Sequence, residues 1–391
     1  MYQYIFIIGK NPSLSLAEIK ARLADPLLSI LTENTVLLKL NQEITNPQQL
    51  LDTMGGTIKI TNYECHTTNE NINAEIFQLL NTNFLQKRHI GISYYTQNKK
   101  RPPNIFQLKK DLKKAGINKR FIFDREKLIL NAGTIKKNKL LSKGMELVII
   151  PTLHGTYFSQ TLAVQNVDRY TKRDYGKPKP DPHAGMLPPK LAQIMISLAQ
   201  LKNNDTIYDP FCGSGTILQE ALLQNYQIIG SDISEKAIVH TRENLKWLIK
   251  NFQLNFPDYR HLIEKNIFTA DASHYRLPHP VEAIVTEPFL GPAMRQLPSP
   301  VQARQYLENL LPLYSQFLNI SVNNVNPTGK IVMVLPRFQT TDQEIPFPLS
   351  RLLDQKLLSY YNQIRFDDNE LIYSQPGQKV HRQILILQKK N

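Results

Sequence analysis

From residue 189 onward, apolar strands alternate with helices of about ten residues or more, and this alternation constrains the fold more than any other feature. Helices are predicted over Pro189–Leu201, Thr216–Gln224, Glu235–Phe252 and Pro300–Asn319. Strands are predicted over Thr206–Tyr208, Gln227–Gly230, Ile267–Thr269, Ala283–Thr286 and Lys330–Pro336, with a late strand at Gly377–Leu387. A strand that is followed by a helix rejoins the sheet in parallel, so helices must cover both faces. The expectation is an α/β fold with a doubly wound, mostly parallel sheet over 189-391.

Upstream the pattern is smaller. Residues 2–60 read as strand Tyr4–Ile8, a Gly9–Pro12 turn, a helix opened by Ser13 or Ser15, strand Val36–Leu40, helix Pro47–Met54 and strand Thr57–Tyr63. Residues 65–165 read as helix Ile72–Leu85, strand Ile90–Tyr95, a basic helix Phe106–Gly116, and strands Phe121–Phe123, Lys127–Asn131, Leu147–Pro151 and His154–Val164. Between Asp168 and Pro189, basic residues interleave with Pro178, Pro180, Pro182, Pro188 and Pro189. That composition predicts an extended connector without a regular helix. The expected domains are 1-64, 65-165, a basic Pro-rich linker 166-188, and 189-391.

Charge is unevenly spread. The chain has 47 Lys and Arg against 33 Asp and Glu, a net +14, and the stretch Lys87–Lys143 alone holds 17 basic and three acidic residues. Clustered positive charge is the footprint of a polyanion, because neutralised phosphates release counterions. Lys109, Lys110, Lys113 and Lys114 fall on one face of the predicted basic helix, with Leu108, Leu112 and Ala115 as its apolar stripe. Arg169, Lys172 and Arg173 in the linker are expected to touch the same polyanion. A solvated Lys-rich face is the plainer reading, and the clustering argues against it.

Other classes are excluded more simply. No apolar run reaches the roughly 18 residues that cross a bilayer, and the first ten residues lack a secretory pattern. Cys65 and Cys212 are the only cysteines, too few for a disulfide framework or a cysteine-built zinc site, and the nine histidines form no ligand-spaced cluster. A cytoplasmic, reduced protein without membrane or metal is expected.

The segment Ile207-Tyr-Asp-Pro-Phe-Cys-Gly-Ser-Gly-Thr216 follows a strand and opens a helix, so Gly213 and Gly215 let backbone approach a ligand at a strand's carboxyl end. A dinucleotide fingerprint needs a third glycine where Leu218 stands. Three carboxylates accompany the turn: Asp209 ends the first strand, Asp232 the second and Asp271 the third. Such a row can serve a ligand with an amino group, two ribose hydroxyls and an adenine amine, which describes S-adenosylmethionine. Each Asp alone is as readily a helix cap or turn residue.

Asp209-Pro-Phe-Cys-Gly-Ser-Gly-Thr216, Gly230-Ser-Asp232 and Thr286-Glu-Pro-Phe289 together resemble the class I, Rossmann-like methyltransferases that modify exocyclic amines. With Gly9-x-Asn-Pro-x-Leu-Ser, Gly91-Ile-Ser93, the basic helix, Gln165-Asn-Val-Asp-Arg-Tyr170 and Gly185-Met-Leu-Pro-Pro-Lys-Leu-Ala192, the chain resembles the THUMP-domain tRNA guanine-N2 methyltransferases acting at position ten. The resemblance implies a ferredoxin-like N-terminal domain, a THUMP-like RNA-binding domain, and a Rossmann-like methyltransferase domain. It implies Asp209, Gly213 and Gly215 at the donor's methionine end, Asp232 on its ribose and Asp271 on its adenine amine. Phe211, Thr216, Ile233 and Ala272 would complete that cofactor set.

The family's amine-handling motif is usually Asp-Pro-Pro-Tyr, and here the chain has Glu287-Pro288-Phe289-Leu290. Either Leu290 takes the aromatic position, or Phe289 is itself the stacking ring on a loop one residue shorter. A guanine N2 amine is a poor nucleophile, so transfer needs alignment and an acceptor for the amine hydrogens. Glu287 is the candidate acceptor, Pro288 the stiffener and Phe289 the face that holds a flipped base. The leading reading is an S-adenosylmethionine-dependent tRNA methyltransferase. The alternatives are an N-methyltransferase acting on a base in DNA or ribosomal RNA, and a catalytically silent RNA-binding protein that keeps the fold.

Overall fold

The computed structural model describes all residues except 24–25, 97–101, 181–185, 256–257 and 367–368. Two compact units emerge: one from Met1–Pro12, Asp25–Thr53 and Thr57–Val167, the other from Ser13–Ala24, Met54–Gly56 and Asp168–Asn391. In the first unit the strands are β1 (Tyr2–Ile8), β2 (Leu27–Thr32), β3 (Thr35–Leu40), β4 (Thr57–Thr67), β5 (His89–Tyr94), β6 (Arg120–Ile122), β7 (Gly144–Thr152) and β8 (Gly155–Val164). They form one sheet ordered β2-β3-β1-β4-β8-β7-β5-β6. The boundary expected at 64/65 falls inside β4, so strands from both sides of it share this sheet. A salt bridge between Lys59 and Glu146 (2.6 Å) lies fully buried in this sheet, with Ser93 and Thr161 hydroxyls satisfying the carboxylate.

In the second unit the strands are β9 (Thr206–Asp209), β10 (Gln227–Asp232), β11 (Ile267–Thr269), β12 (Val281–Thr286), β13 (Val325–Gln339), β14 (Glu344–Ile345), β15 (Tyr361–Gln363), β16 (Ile372–Tyr373) and β17 (Val380–Lys389). The main path runs β11-β10-β9-β12-β13-β17-β15, parallel from β11 to β13 and antiparallel at β17 and β15. The doubly wound α/β fold expected for this region is the one observed. Strand β12 shows why the sheet is central: Ala283, Ile284 and Val285 are all fully buried. Ile284 packs with Tyr208 and Met333 on one face, while Ala283 and Val285 pack with Ile207 and Val332 on the other. Each such Ile or Val contributes about 1.5–3 kcal/mol of burial. Helices start where their caps say they should, as with Ser234, which accepts from the Ala237 amide, and Ser299, which forms a capping box with Gln302.

Three expectations need correction. Val167–Tyr175 is a helix, whereas the linker was expected to contain none; the helix-breaking prolines begin only at Pro178. Lys127–Asn131 is not a strand: the Asp124 carboxylate caps the Glu126 and Lys127 amides, and Leu128 turns to φ +59°. In the basic helix, observed over Ile105–Lys114, the buried stripe is Ile105, Leu108 and Leu112, and Ala115 is the exposed C-cap. Of the linker expectations, Pro182, His183 and Gly185 lie outside the described residues, as do Lys99, Lys100 and Arg101 of the basic stretch. Among the described residues no helix is long and apolar enough to cross a membrane.

Candidate active site and nucleic-acid interface

Strands β9 and β12 are neighbours whose onward connections run in opposite directions across the sheet, and ligands of doubly wound folds bind at such a switch point. Registration of Gly230 with Asp209, and of Thr269 with Asp232, steps the acids along the strand ends. Between β9 and the helix Thr216–Leu223, Gly213 (φ +52°) and Gly215 (φ +83°) adopt left-handed backbone. A Cβ on Gly215 would lie 2.9 Å from the Thr241 methyl, whereas the face of Gly213 is open. The turn is pinned from both sides: the Gly213 amide donates to Asp232 Oδ2 (2.9 Å) and Thr241 Oγ1 donates to the Gly213 carbonyl (2.7 Å).

Asp232 uses Oδ1 to accept from the Ser234 amide at 3.0 Å, so each carboxylate oxygen keeps capacity for a further donor such as a ribose hydroxyl. Beside it Ile233 is 73% exposed, an apolar ledge of the kind an adenine ring covers. Asp271 accepts from the Ser273 amide and hydroxyl and contacts His274 Nδ1 at 3.1 Å; the Ser273 hydroxyl and amide hold its carboxyl below the ordinary range. Ala272 is buried next to it. The Ala270 amide donates to the Asp232 carbonyl, tying two strand ends together.

Asp209 is 2% exposed, and burial pushes its carboxyl up to about 7, against hydrogen bonds from Thr286 Oγ1 (2.7 Å) and the Phe211 amide. Both bonds fall on Oδ1; among the described residues Oδ2 has no protein donor. Phe211 packs edge-on against Phe317, and Thr216 starts the helix. Lys177, from the segment after the helix Val167–Tyr175, places its ammonium 3.2 Å from Thr216 Oγ1 and 3.4 Å from Ser214 Oγ. A buried carboxylate, an open glycine face and paired strand-end acids fit the amino, ribose and adenine groups of S-adenosylmethionine.

At the end of β12 stand the predicted acceptor residues. The Glu287 side chain is 13% exposed and its Oε1 accepts from Arg382 Nε at 2.5 Å, with Oε2 only loosely met by Nη2 at 3.5 Å. Burial raises the Glu287 carboxyl and the Arg382 guanidinium opposes that shift. Pro288 is buried and Phe289 is 60% exposed, its carbonyl held by the Tyr314 hydroxyl (2.8 Å). The Thr286–Asp209 bond brings this loop beside the glycine turn. Arg382 was missed in the sequence, and Thr286 and Lys177 were given no role at the site. Lys177 stands 39 residues before Thr216 and carried no local signal beyond its place among the linker's basic residues.

In the first unit, Lys109, Lys110, Lys113 and Lys114 are all exposed. Lys109 joins Arg88, Arg120, Arg125 and Phe106 around a cleft of about 510 Å³. Phe106 is 65% exposed, stands edge-on to Phe123 and lies under the Arg125 guanidinium at 5.1 Å. In the second unit, Arg169 and Lys172 are exposed above the Phe252 ring. Arg173 corrects the expectation: it is 5% exposed and bonds Glu220 Oε1 at 2.6 Å, so it is spent on packing and not offered to phosphate.

The fold and this site define a Rossmann-like methyltransferase, the class that draws its methyl from S-adenosylmethionine. A family model described as DNA methylase, of the N6/N4 methyltransferase type, matches residues 47–243, half of the chain, and the chain belongs to that family. A second, described as RMKL-like, methyltransferase domain, matches residues 177–343. A tRNA (guanine(10)-N2)-dimethyltransferase of Methanothermobacter thermautotrophicus is 32% identical over 49% of this chain and 51% of its own. One of the same name from Methanocaldococcus jannaschii is 34% identical over 39% and 42%. The chain thus spans about half the length of the curated relatives it matches. The crystal structure of TrmN from Thermus thermophilus shares the fold, with TM-score 0.53 at 14% identity over 99% of this chain and 100% of that one.

Proposed function

We propose that this protein methylates the exocyclic N2 amine of a guanosine in tRNA, at position ten, using S-adenosylmethionine. The observation that carries the reading is the meeting of two strand ends: Thr286 ties Asp209, beside the glycine turn, to the loop bearing Glu287 and the exposed Phe289. The guanine-N2 assignment rests on the names of two relatives, one matching 49% of this chain and the other 39%. The THUMP-like role of residues 65-165, with the cleft around Phe106, and a cytoplasmic place belong to the same reading.

When bound, S-adenosylmethionine supplies an electrophilic methyl group. Asp209, Gly213, Gly215 and Thr216 would hold its methionine end, Asp232 its ribose, and Asp271 with Ile233 and Ala272 its adenine. Phe289 presents a ring for a base turned out of its helix, and Pro288 with the Tyr314 bond to the Phe289 carbonyl holds the backbone that carries it. Glu287 Oε2, the oxygen less engaged by Arg382, accepts a hydrogen of the amine and takes its proton as the nitrogen becomes cationic. Burial pushes the Glu287 carboxyl up, and the Arg382 guanidinium opposes that push and so favours the ionised form the step needs.

A second reading, methylation of a base amine in DNA, is favoured by the description of the family that matches residues 47–243. One experiment separates the two: bulk tRNA and duplex DNA are each incubated with protein and isotope-labelled S-adenosylmethionine, then digested to nucleosides for mass spectrometry. Labelled N2-methylguanosine from tRNA is expected. Label in a DNA base, or in no nucleoside, overturns the assignment.

A further inference from the structure

We propose that Lys177 binds the carboxylate of the methionine moiety of the methyl donor, an inference that rests on the S-adenosylmethionine reading of the same site. Lys177 is 4% exposed, yet among the described residues no carboxylate lies within ion-pair distance of its ammonium, which meets only the hydroxyls of Thr216 and Ser214. Asp174 and Glu220 act on it from farther off, and Glu220 is already taken by Arg173 and Gln193. A buried charge of this kind calls for an anion.

The surroundings say where the anion sits. Residue Gly215 provides no side-chain cap to the helix Thr216–Leu223, so the positive end of the helix dipole begins at Thr216, whose hydroxyl meets the ammonium. The approach of Lys177 is fixed by Asn244, fully buried, whose amide nitrogen donates to the carbonyls of Lys179 (3.0 Å) and Ser214 (2.9 Å) and whose oxygen accepts from the Lys179 amide (2.9 Å). That clamp fastens the segment carrying Lys177 to the glycine turn.

The charge pattern also selects the ligand. Asp209, with one free oxygen, stands at the head of the turn, and Lys177 stands at its tail. A pyrophosphate would meet the carboxylates of Asp209 and Asp232. A zwitterion, ammonium toward Asp209 and carboxylate toward Lys177, has complementary charge at both ends.

Calorimetry on the full chain tests this with S-adenosylmethionine and its decarboxylated analogue. Wild type is expected to bind S-adenosylmethionine at least roughly tenfold more tightly, the scale of a hydrogen-bonded charge. Lys177→Met should lose roughly 10- to 100-fold for S-adenosylmethionine and nothing for the analogue, while Lys177→Arg keeps most of the discrimination. Equal losses for both compounds in Lys177→Met, or no loss, overturn the proposal. If that variant does not fold, the wild-type comparison decides: equal affinity for the two compounds overturns the carboxylate assignment alone. Wild type that binds neither overturns the donor reading as well.

Discussion

At the scale of single residues, the chemistry turns on how burial and partners set three charges. Glu287 is pushed up by burial and held down by Arg382, so Arg382→Met should raise its proton affinity and move the acid limb of the single-turnover pH profile upward. The same change leaves a carboxylate in a dry site and should cost about 3–5 kcal/mol of stability. An unmoved acid limb in a folded Arg382→Met protein would separate Glu287 from the rate. Glu287→Gln preserves shape but removes the acceptor charge; methyl transfer should fall at least about a hundredfold while donor affinity by calorimetry stays unchanged. Asp209 titrates in the native state near 7, well above the carboxylate's ordinary 3.8, because burial disfavours its charge. The native state therefore holds a proton that the unfolded chain has already lost, and stability falls as pH rises from about 4 to 7, by on the order of 4 kcal/mol. Asp209→Asn should flatten that slope, read as urea midpoints at pH 5 and pH 8. Glu18, which burial raises to about 7 against bonds from the Gly55 and Gly56 amides, contributes a slope of the same sign and remains as an internal control.

At the scale of elements, the strand-end acids and the glycine turn were legible because their signal is local. A strand, a turn residue and a helix start lie within ten positions, and period alone places them at one edge. Arg382 was not legible: it lies 95 residues from Glu287, on β17, which β13 separates from β12 in the sheet. The helix Val167–Tyr175 was hidden by prolines that follow it, and the false strand at Lys127–Asn131 came from an apolar run that the Asp124 turn overrides. The turn itself yields a sharp expectation. Gly215→Ala puts a methyl 2.9 Å from Thr241 in left-handed backbone, so donor affinity should drop and the melting temperature should fall. Gln224→Ala, at the other end of the same helix, serves as comparison; equal donor affinity in both variants would mean the glycine is not required for approach.

For the whole molecule, net charge is a statement about partners, and +14 resides in the stretch Lys87–Lys143. The structure refines this into two kinds of surface that respond to different variables. Lys109, Lys110, Lys113 and Lys114 are exposed point charges on a helix whose other face is packed, suited to phosphates. Phe106, with Arg125 over its ring, is an exposed aromatic platform in the adjoining cleft, suited to an unpaired base. Changing the four lysines to glutamate should weaken tRNA binding at every salt concentration and lower the slope of log affinity against log salt by roughly 0.7–0.9 for each phosphate no longer neutralised. Phe106→Ala should weaken binding by about 1–3 kcal/mol with the slope unchanged, since stacking releases no counterions. Filter binding of tRNA across a salt titration from roughly 50 to 200 mM, the range over which phosphate neutralisation is most visible, measures both. A parallel fall of slope in Phe106→Ala would make the ring a support for the lysines, and an unaltered slope after removing four charges would place the polyanion elsewhere on the chain.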